Sequence, residues 1–194
     1  MDLLIRIATE EDAEALLNIY AYYVANTAIT LEHDIPTLEE FTNRIRETLK
    51  KYPYLVAMVD GKVAGYVYAG RFRTRASFAW SAEASIYIDR KYHRLGLGKI
   101  LYEKLENILR QQNIVNVYAA IADPIAEDEY LTHNSEHFHE AMGYRLVARF
   151  HQCASKFGRW YNLIEMEKDI GSRECPPREF IPFNRIRDEI DLSV

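Results

Sequence analysis

The chain has 194 residues, enough for one ordinary domain, whereas a division into two would leave both halves small. Its 48% hydrophobic and 27% charged residues, with only 8 Gly and 6 Pro, allow a buried core under a soluble surface and exclude intrinsic disorder and collagen-like repeats. A net charge of −5, from 24 basic and 29 acidic residues, supplies no general field for nucleic acid, although a local basic lip can still hold one phosphorylated ligand.

In chain order, residues 3–8 are short, apolar and β-prone, and Thr9 with Asp12 three residues on has the pattern of a helix start. Leu16, Leu17, Ile19, Tyr20, Tyr23 and Val24 recur at helical spacing, which predicts a helix over about 10–25 with one buried stripe. Residues 26–36 read as a loop. Thr37 and Glu40 then form a second capping pattern ahead of a helix carrying Phe41, Ile45 and Leu49, which ends near Tyr52-Pro53. Residues 54–59 and 63–68, separated by Asp60-Gly61, have the form of a tight antiparallel hairpin. Residues 78–89 are another β-rich run, and Gly96 and Gly98 lead into Leu101, Leu105, Ile108 and Leu109 at helical period. A strand over 114–122, a short helix over 135–142 and two β-like runs over 144–153 and 160–167 complete the count.

About seven strands and four helices, first antiparallel and then joined by a helical crossover near 96–112, give an α+β class with a mixed sheet. After residue 170 the composition changes, with three prolines and scattered aromatics, so residues 1–170 read as the domain and 171–194 as a tail wrapped on it or on a neighbouring subunit. The acidic, amphipathic N-terminus is unlike a signal peptide, and no stretch approaches the ~18 apolar residues of a membrane span. Two cysteines, Cys153 and Cys175, make no disulfide framework and lack zinc-ligand spacing, so a cytoplasmic setting without membrane or nucleic-acid partners is expected.

The strongest chemical signal lies in residues 86–99, where a strand ends, two glycines stand two apart and a helix begins among cations. A first helical turn exposes unpaired N–H groups and the positive end of the helix dipole, which suit a pyrophosphate. Gly96 and Gly98 keep that approach free of Cβ atoms, and Arg94 and Lys99 can add charge. The plainer alternative is a tight connection whose glycines serve packing. Neither the P-loop nor the three-glycine dinucleotide spacing is present. His133, His137 and His139 with Glu136 and Glu140 invite a metal reading. No His-Glu-x-x-His pattern is present and His139 points away from the other two, so no metal is expected.

The segment His93-Arg-Leu-Gly-Leu-Gly98 resembles the acetyl-CoA loop of GNAT superfamily N-acetyltransferases, written Arg/Gln-x-x-Gly-x-Gly/Ala. Within that superfamily residues 5–168 are most similar to the phosphinothricin and methionine-sulfoximine acetyltransferases, through residues 70–85, 87–102 and 137–144. The resemblance implies a mostly antiparallel GNAT sheet and acetyl-CoA as co-substrate. It implies pyrophosphate binding by Arg94, Leu95, Gly96, Leu97, Gly98 and Lys99, and pantetheine binding along the backbone of Ile86, Tyr87 and Ile88. His93 stands where Arg or Gln is usual, and Thr132 replaces a customary Asn, for which Asn134 is the nearby substitute.

Glu83 matches the glutamate that the family assigns to deprotonating the amine, and its place beside Trp80 and before the pantetheine strand suits a raised pKa. His139 stands where many relatives carry a tyrosine and this branch a histidine, so it is expected as acid, relay or structural residue. The same resemblance places Arg73, Arg75 and Trp80 at the acceptor, the arginines against an acidic end. The expected activity is direct acetyl transfer to a primary amine of a small amino-acid-like metabolite or toxin, without a cysteine intermediate, by a homodimer. Asp123, Glu127, Asp128 and Glu129 keep a polyamine or aminoglycoside acceptor open, and a non-catalytic acyl-CoA sensor is the other alternative.

Overall fold

The computed structural model describes residues 2–193, so Met1 and Val194, the outer bounds of the expected domain and tail, lie outside the described residues. β1 (Leu3–Ile7) leads through a 3₁₀ turn to α1 (Ala13–Asn26), and α2 (Leu38–Leu49) follows the loop. The first residues assigned to α1 from sequence, Glu10–Asp12, form that 3₁₀ turn, because the Asp12 carboxylate is drawn to the backbone N–H of Thr9 at 2.8 Å and to the Arg6 guanidinium at 2.6 and 2.7 Å. The α2 capping box is formed in both directions, Glu40 N to Thr37 Oγ1 at 3.2 Å and Thr37 N to Glu40 Oε2 at 2.8 Å.

β2 (Tyr54–Val59) and β3 (Lys62–Arg71) make the expected hairpin, with Asp60 and Gly61 both at positive φ, as a two-residue turn of that hand requires. β4 spans Ser81–Ile88, starting later than the sequence suggests because Ala76–Phe78 close into a 3₁₀ turn. α3 (Leu97–Gln111), β5 (Asn116–Asp123), α4 (Asn134–Ala141), β6 (Arg145–Lys156) and β7 (Arg159–Asp169) follow. The seven strands form one sheet in the order β1-β2-β3-β4-β5-β7-β6, mostly antiparallel, and the α3 crossover makes β4 and β5 parallel.

Two antiparallel halves meet at that parallel contact, which holds only for Ser81, Ala82 and Glu83 against Asn116, Val117 and Tyr118. Beyond it β4 stays paired with β3 as far as Ile88, and β5 stays paired with β7 as far as Asp123. Each strand follows its own antiparallel partner, so the two part and leave a slot between them.

Strand alternation divides the chemistry between the faces of the sheet. Ala82 and Ala84 join Leu101, Tyr102, Leu105 and Leu109 in the core under α3. Glu83, Ser85 and Tyr87 belong to the other face, where Tyr87 packs against Tyr20 and Tyr23 of α1 at ring distances of 4.9 and 5.3 Å.

Residues 171–193 lie along the α3 face. Phe183 is fully buried in the core under α3, the Gln112 amide donates to the carbonyls of Lys51 (2.7 Å) and Ile181 (2.8 Å), and Asn113 donates to the Glu179 carbonyl. Phe180 packs on Tyr52.

Candidate active site

The turn before α3 has the geometry an anion needs. Gly96 has φ +79°, and a Cβ there would meet nothing within 4 Å. The amides of Leu97, Gly98 and Lys99 precede the first helical bond, Ile100 N to Gly96 O at 3.3 Å, so they point out of the helix end. Arg94, Leu95 and Lys99 are exposed around them, while the Leu97 side chain is buried and only its backbone faces the turn. Gly98 has a different reason to be glycine, since a Cβ would lie 3.0 Å from the Phe138 ring of α4. His93 is already engaged: its Nε2 lies 3.1 Å from both the Tyr23 hydroxyl and the Ile88 carbonyl. Asn134 is exposed at the first position of α4.

The slot between β4 and β5 begins where this turn ends. Ala84, Ser85, Ile86 and Tyr87 line one wall, residues 119–122 the other, and Tyr102, Ser135, His139 and Ile29 close it. The backbone edge of β4 that faces the slot has no β5 partner past Glu83. The Ile88 carbonyl is an exception to that availability, because Tyr23 donates to it at 2.5 Å.

Glu83 stands at the apex, the last β4 residue paired with β5, with Gly70 and Tyr118 as its cross-strand neighbours. Gly70 leaves that flank of the carboxylate open. Burial raises the pKa of Glu83 above its ordinary value, the positive charge of Arg73 pulls it down and the Glu165 carboxylate pushes it up. Arg73 is held at 2.8 Å from Glu165 and lies over the Phe72 ring, which is stacked on Tyr118 at 3.8 Å. The Glu165 carboxylate and one guanidinium therefore share the mouth with Glu83.

The other two residues assigned to the acceptor lie elsewhere. Arg75 faces a hollow with Lys51, Tyr52, Arg71 and Phe180, which Arg73 also lines, and Arg71 belongs to the α3 face of the sheet, across from Glu83. The Trp80 indole donates to the Arg178 carbonyl at 2.6 Å and faces a cavity of about 470 Å³ with Ile170 and Pro177. An odd spacing from Glu83 sends Trp80 to the opposite face, so it does not desolvate that carboxylate.

His139 is 3% exposed. Its Nδ1 faces the Ser135 carbonyl at 2.7 Å, which fixes the proton on Nδ1, and its Nε2 therefore accepts from the Tyr102 hydroxyl at 2.7 Å. Burial pushes its pKa down to about 4, so the ring is neutral at pH 7. Sequence reasoning missed Tyr102, although it stands four residues after Gly98 on the buried stripe of α3 and therefore faces the same slot.

With both nitrogens engaged, His139 offers no ligand to a metal. His133 Nδ1 lies 3.4 Å from Asp123 and from Glu136, and Arg149 approaches Asp123 at 3.1 Å and Glu136 at 3.8 Å, so a guanidinium supplies positive charge to that cluster.

The Acetyltransferase (GNAT) domain family matches residues 5–164. The chain is a GNAT acetyltransferase. A phosphinothricin N-acetyltransferase of Streptomyces viridochromogenes is 30% identical over 182 residues, 94% of this chain and 95% of that relative. An L-methionine sulfoximine/L-methionine sulfone acetyltransferase of Salmonella typhimurium is 28% identical over 173 residues, 89% of this chain and 97% of that one. The crystal structure of a phosphinothricin acetyltransferase from Sinorhizobium meliloti in complex with acetyl-CoA has a TM-score of 0.80 and 28% identity, covering 88% of this chain and 90% of that one. Acetyl-CoA is therefore the co-substrate of this GNAT enzyme and a small-molecule amine its acceptor, and the open helix end and unpaired strand edge suit a diphosphate and a pantetheine amide chain.

Proposed function

We propose that this enzyme acetylates the α-amino group of a small amino-acid-like molecule with an acidic end, by direct attack of the amine on the thioester. The observation that carries the reading is Glu83, a carboxylate with a raised pKa, placed where β4 and β5 part and within the field of Arg73. Glu83 takes the ammonium proton, and the freed lone pair attacks the acetyl carbonyl. The tetrahedral adduct collapses with cleavage of the C–S bond, and coenzyme A leaves as a thiolate that takes up the second amine proton. Arg73 holds the acidic end of the acceptor, with Glu165 fixing the guanidinium. The diphosphate rests on the amides of residues 97–99 with Arg94, Lys99 and the Leu95 backbone around it, Asn134 borders it, and the pantetheine lies along residues 86–88. His139 stays neutral, acting as a positioning residue that holds the Tyr102 hydroxyl in the slot.

The acidic insertion does not support a polycationic acceptor, because its charges are largely matched within the fold. Arg159 meets Asp128 and Glu129 at 2.8 Å, and Arg149 meets Asp123. The names of the relatives, phosphinothricin and methionine sulfoximine acetyltransferases, point the same way. Cys153 and Cys175 are exposed and outside the slot, which agrees with transfer that forms no acetyl-cysteine. The residues of the slot and turn are those a transferase uses, so a non-catalytic sensor has no observation in its favour.

The quaternary and cellular assignments belong to the same proposal. A homodimer is supported by the outer strand β6, whose Leu146, Val147 and Phe150 are exposed, as is Trp160 of β7, while the tail aromatics Phe180 and Phe183 are occupied within the chain. A cytoplasmic setting agrees with two free cysteines, and no helix among the described residues is long and apolar enough to cross a membrane.

Thiol release from acetyl-CoA across amino acids, methionine sulfone, phosphinothricin, polyamines and aminoglycosides tests the reading. Release with the acidic amino-acid analogues supports it, and release confined to polycations would overturn it. Sedimentation at micromolar concentration tests the dimer, which a monomer at that concentration would remove.

A further inference from the structure

Asp123 is the last residue of β5, one position beyond the slot wall, and it is 3% exposed. Its two oxygens are treated differently. Oδ2 accepts from the Asn162 amide at 3.0 Å and meets the Arg149 guanidinium at 3.1 Å, whereas Oδ1 is buried with no hydrogen-bond partner among the described residues. A buried carboxylate oxygen without a donor is costly unless a positive group reaches it.

Oδ1 faces Nδ1 of His133, the residue before α4, at 3.4 Å, and the same nitrogen lies 3.4 Å from Oε2 of Glu136 in the first turn of that helix. The three residues each offer a ligand atom, and these atoms lie within 4.8 Å of one another. A proton on Nδ1 does not account for the arrangement, because 3.4 Å is long for N–H···O and one N–H points at one acceptor. Donor atoms bound tetrahedrally to one zinc ion, at bonds of ~2.0–2.2 Å, stand ~3.3–3.6 Å apart, which brackets both His133 separations.

Arg149 does not fill that place. Its guanidinium touches the outer oxygens, Oδ2 of Asp123 and, at 3.8 Å, Oε1 of Glu136, and so leaves the inner pair to the imidazole. It orients the carboxylates from behind, as groups around a metal's ligands do, and two carboxylates against one guanidinium leave negative charge over. The backbone of His133 is fixed in turn by Glu127, whose Oε1 accepts from its N–H at 2.9 Å.

We propose that Asp123, His133 and Glu136 bind a divalent ion of the zinc class, which ties the end of β5 to the start of α4, with water completing the tetrahedron. One imidazole and two carboxylates are a zinc-type donor set, and the nitrogen disfavours magnesium and calcium. The ion holds together two elements of the slot, since residues 119–122 precede Asp123, and Ser135 and His139 follow His133. Asp123 lies five residues along β5 from Tyr118, the neighbour of Glu83, so the role is structural and the ion supplies no step of the transfer.

The full chain, stripped with a chelator and dialysed, is titrated with Co²⁺ as a visible probe. The d–d absorption of four-coordinate Co²⁺ is expected to saturate at about one ion per chain and to be displaced by Zn²⁺ but not by Mg²⁺, with no thiolate charge-transfer band from the exposed Cys153 and Cys175. Zn²⁺ is expected to raise the melting temperature of the wild type. His133→Ala and Glu136→Gln are each expected to weaken Co²⁺ binding by about tenfold or more and to shrink the melting shift. His137→Ala, whose ring stands 6.3 Å from that of His133 and outside the trio, is expected to leave both unchanged. Should His133→Ala not fold, Glu136→Gln gives the same comparison. Absence of a saturable Co²⁺ spectrum, a wild-type melt unmoved by Zn²⁺, a spectrum that survives Glu136→Gln and His133→Ala, or one lost in Cys153→Ser would overturn the proposal.

Discussion

The Tyr102 hydroxyl and Nε2 of His139 lie 2.7 Å apart, inside the slot formed by the parting of β4 and β5. With the Nδ1 proton committed to the Ser135 carbonyl, the pair has a single direction, Tyr102 donating and His139 accepting. The histidine that sequence suggests as acid, relay or structural residue is thus held as a buried neutral acceptor.

His139 then has a measurable signature in stability. Its folded pKa of about 4 lies below its ordinary value of 6.5, so its contribution is complete above pH 6.5 and lost as pH falls toward 4, where the unfolded chain takes up a proton first. Chemical denaturation from pH 7 to 4 is expected to show that decline, and His139→Gln to flatten it. Tyr102→Phe leaves Nε2 without a donor and is expected to cost about 1–3 kcal/mol.

Glu83→Gln is expected to lower turnover by ~10²–10⁴-fold while calorimetry still detects acetyl-CoA. In the wild type, kcat/KM climbs as pH rises through the elevated pKa of Glu83, because only the carboxylate accepts the proton. The same shift has a stability sign: a carboxyl whose folded pKa is raised favours the folded state only while protonated, so at pH 7 the charged form is a liability. Glu83→Gln should therefore melt no lower than wild type at pH 7. A turnover in the variant equal to that of wild type across pH 6 to 9 would remove Glu83 from the mechanism.

The two glycines of the turn should respond differently. Gly98→Ala drives a methyl to 3.0 Å from the Phe138 ring and is expected to cost about 1–3 kcal/mol of stability, partly relieved by adding Phe138→Leu. Gly96→Ala meets no atom but is held at positive φ, so it is expected to cost about 1 kcal/mol and to weaken acetyl-CoA binding, with no relief from Phe138→Leu. Thermal melts with and without coenzyme A separate the two.

Phe183 ties the tail to the domain. Truncating a fully buried phenylalanine typically costs about 3–5 kcal/mol, so Phe183→Ala is expected to lower the urea midpoint sharply. Removal of residues 171–194 should do at least as much, since it also uncovers Gln112 and Tyr52. A truncated chain as stable as the full one would show that the tail adds nothing to the core.

Much of the fold was legible because its signals are local. The Thr37–Glu40 cap, the Asp60-Gly61 turn, the helical stripe after Gly98 and the crossover between β4 and β5 are all written within a few residues of where they act. The ends of elements were less legible: Glu10–Asp12 and Ala76–Phe78 formed 3₁₀ turns, Asp12 for the sake of contacts with Arg6 and Thr9. At the site, the phosphate turn and Glu83 came from a contiguous segment. The separation of Arg75 and Trp80 from Glu83, the partner of His139 and the meeting of His133 with Asp123 did not.

By itself the sequence determined the element order and the glycine turn at a helix start, since periodicity, capping and glycine placement act over a turn or two of chain. Glu83, by contrast, was singled out by the resemblance of residues 70–85 to the family. Tertiary structure alone decided which face each side chain serves, where β4 leaves β5, and which titratable groups are dry. Those outcomes depend on strand register and on contacts between residues as much as 129 positions apart, as for Lys156 and Thr27. Burial, which set the neutral state of His139 and the raised pKa of Glu83, is a property of the packed whole.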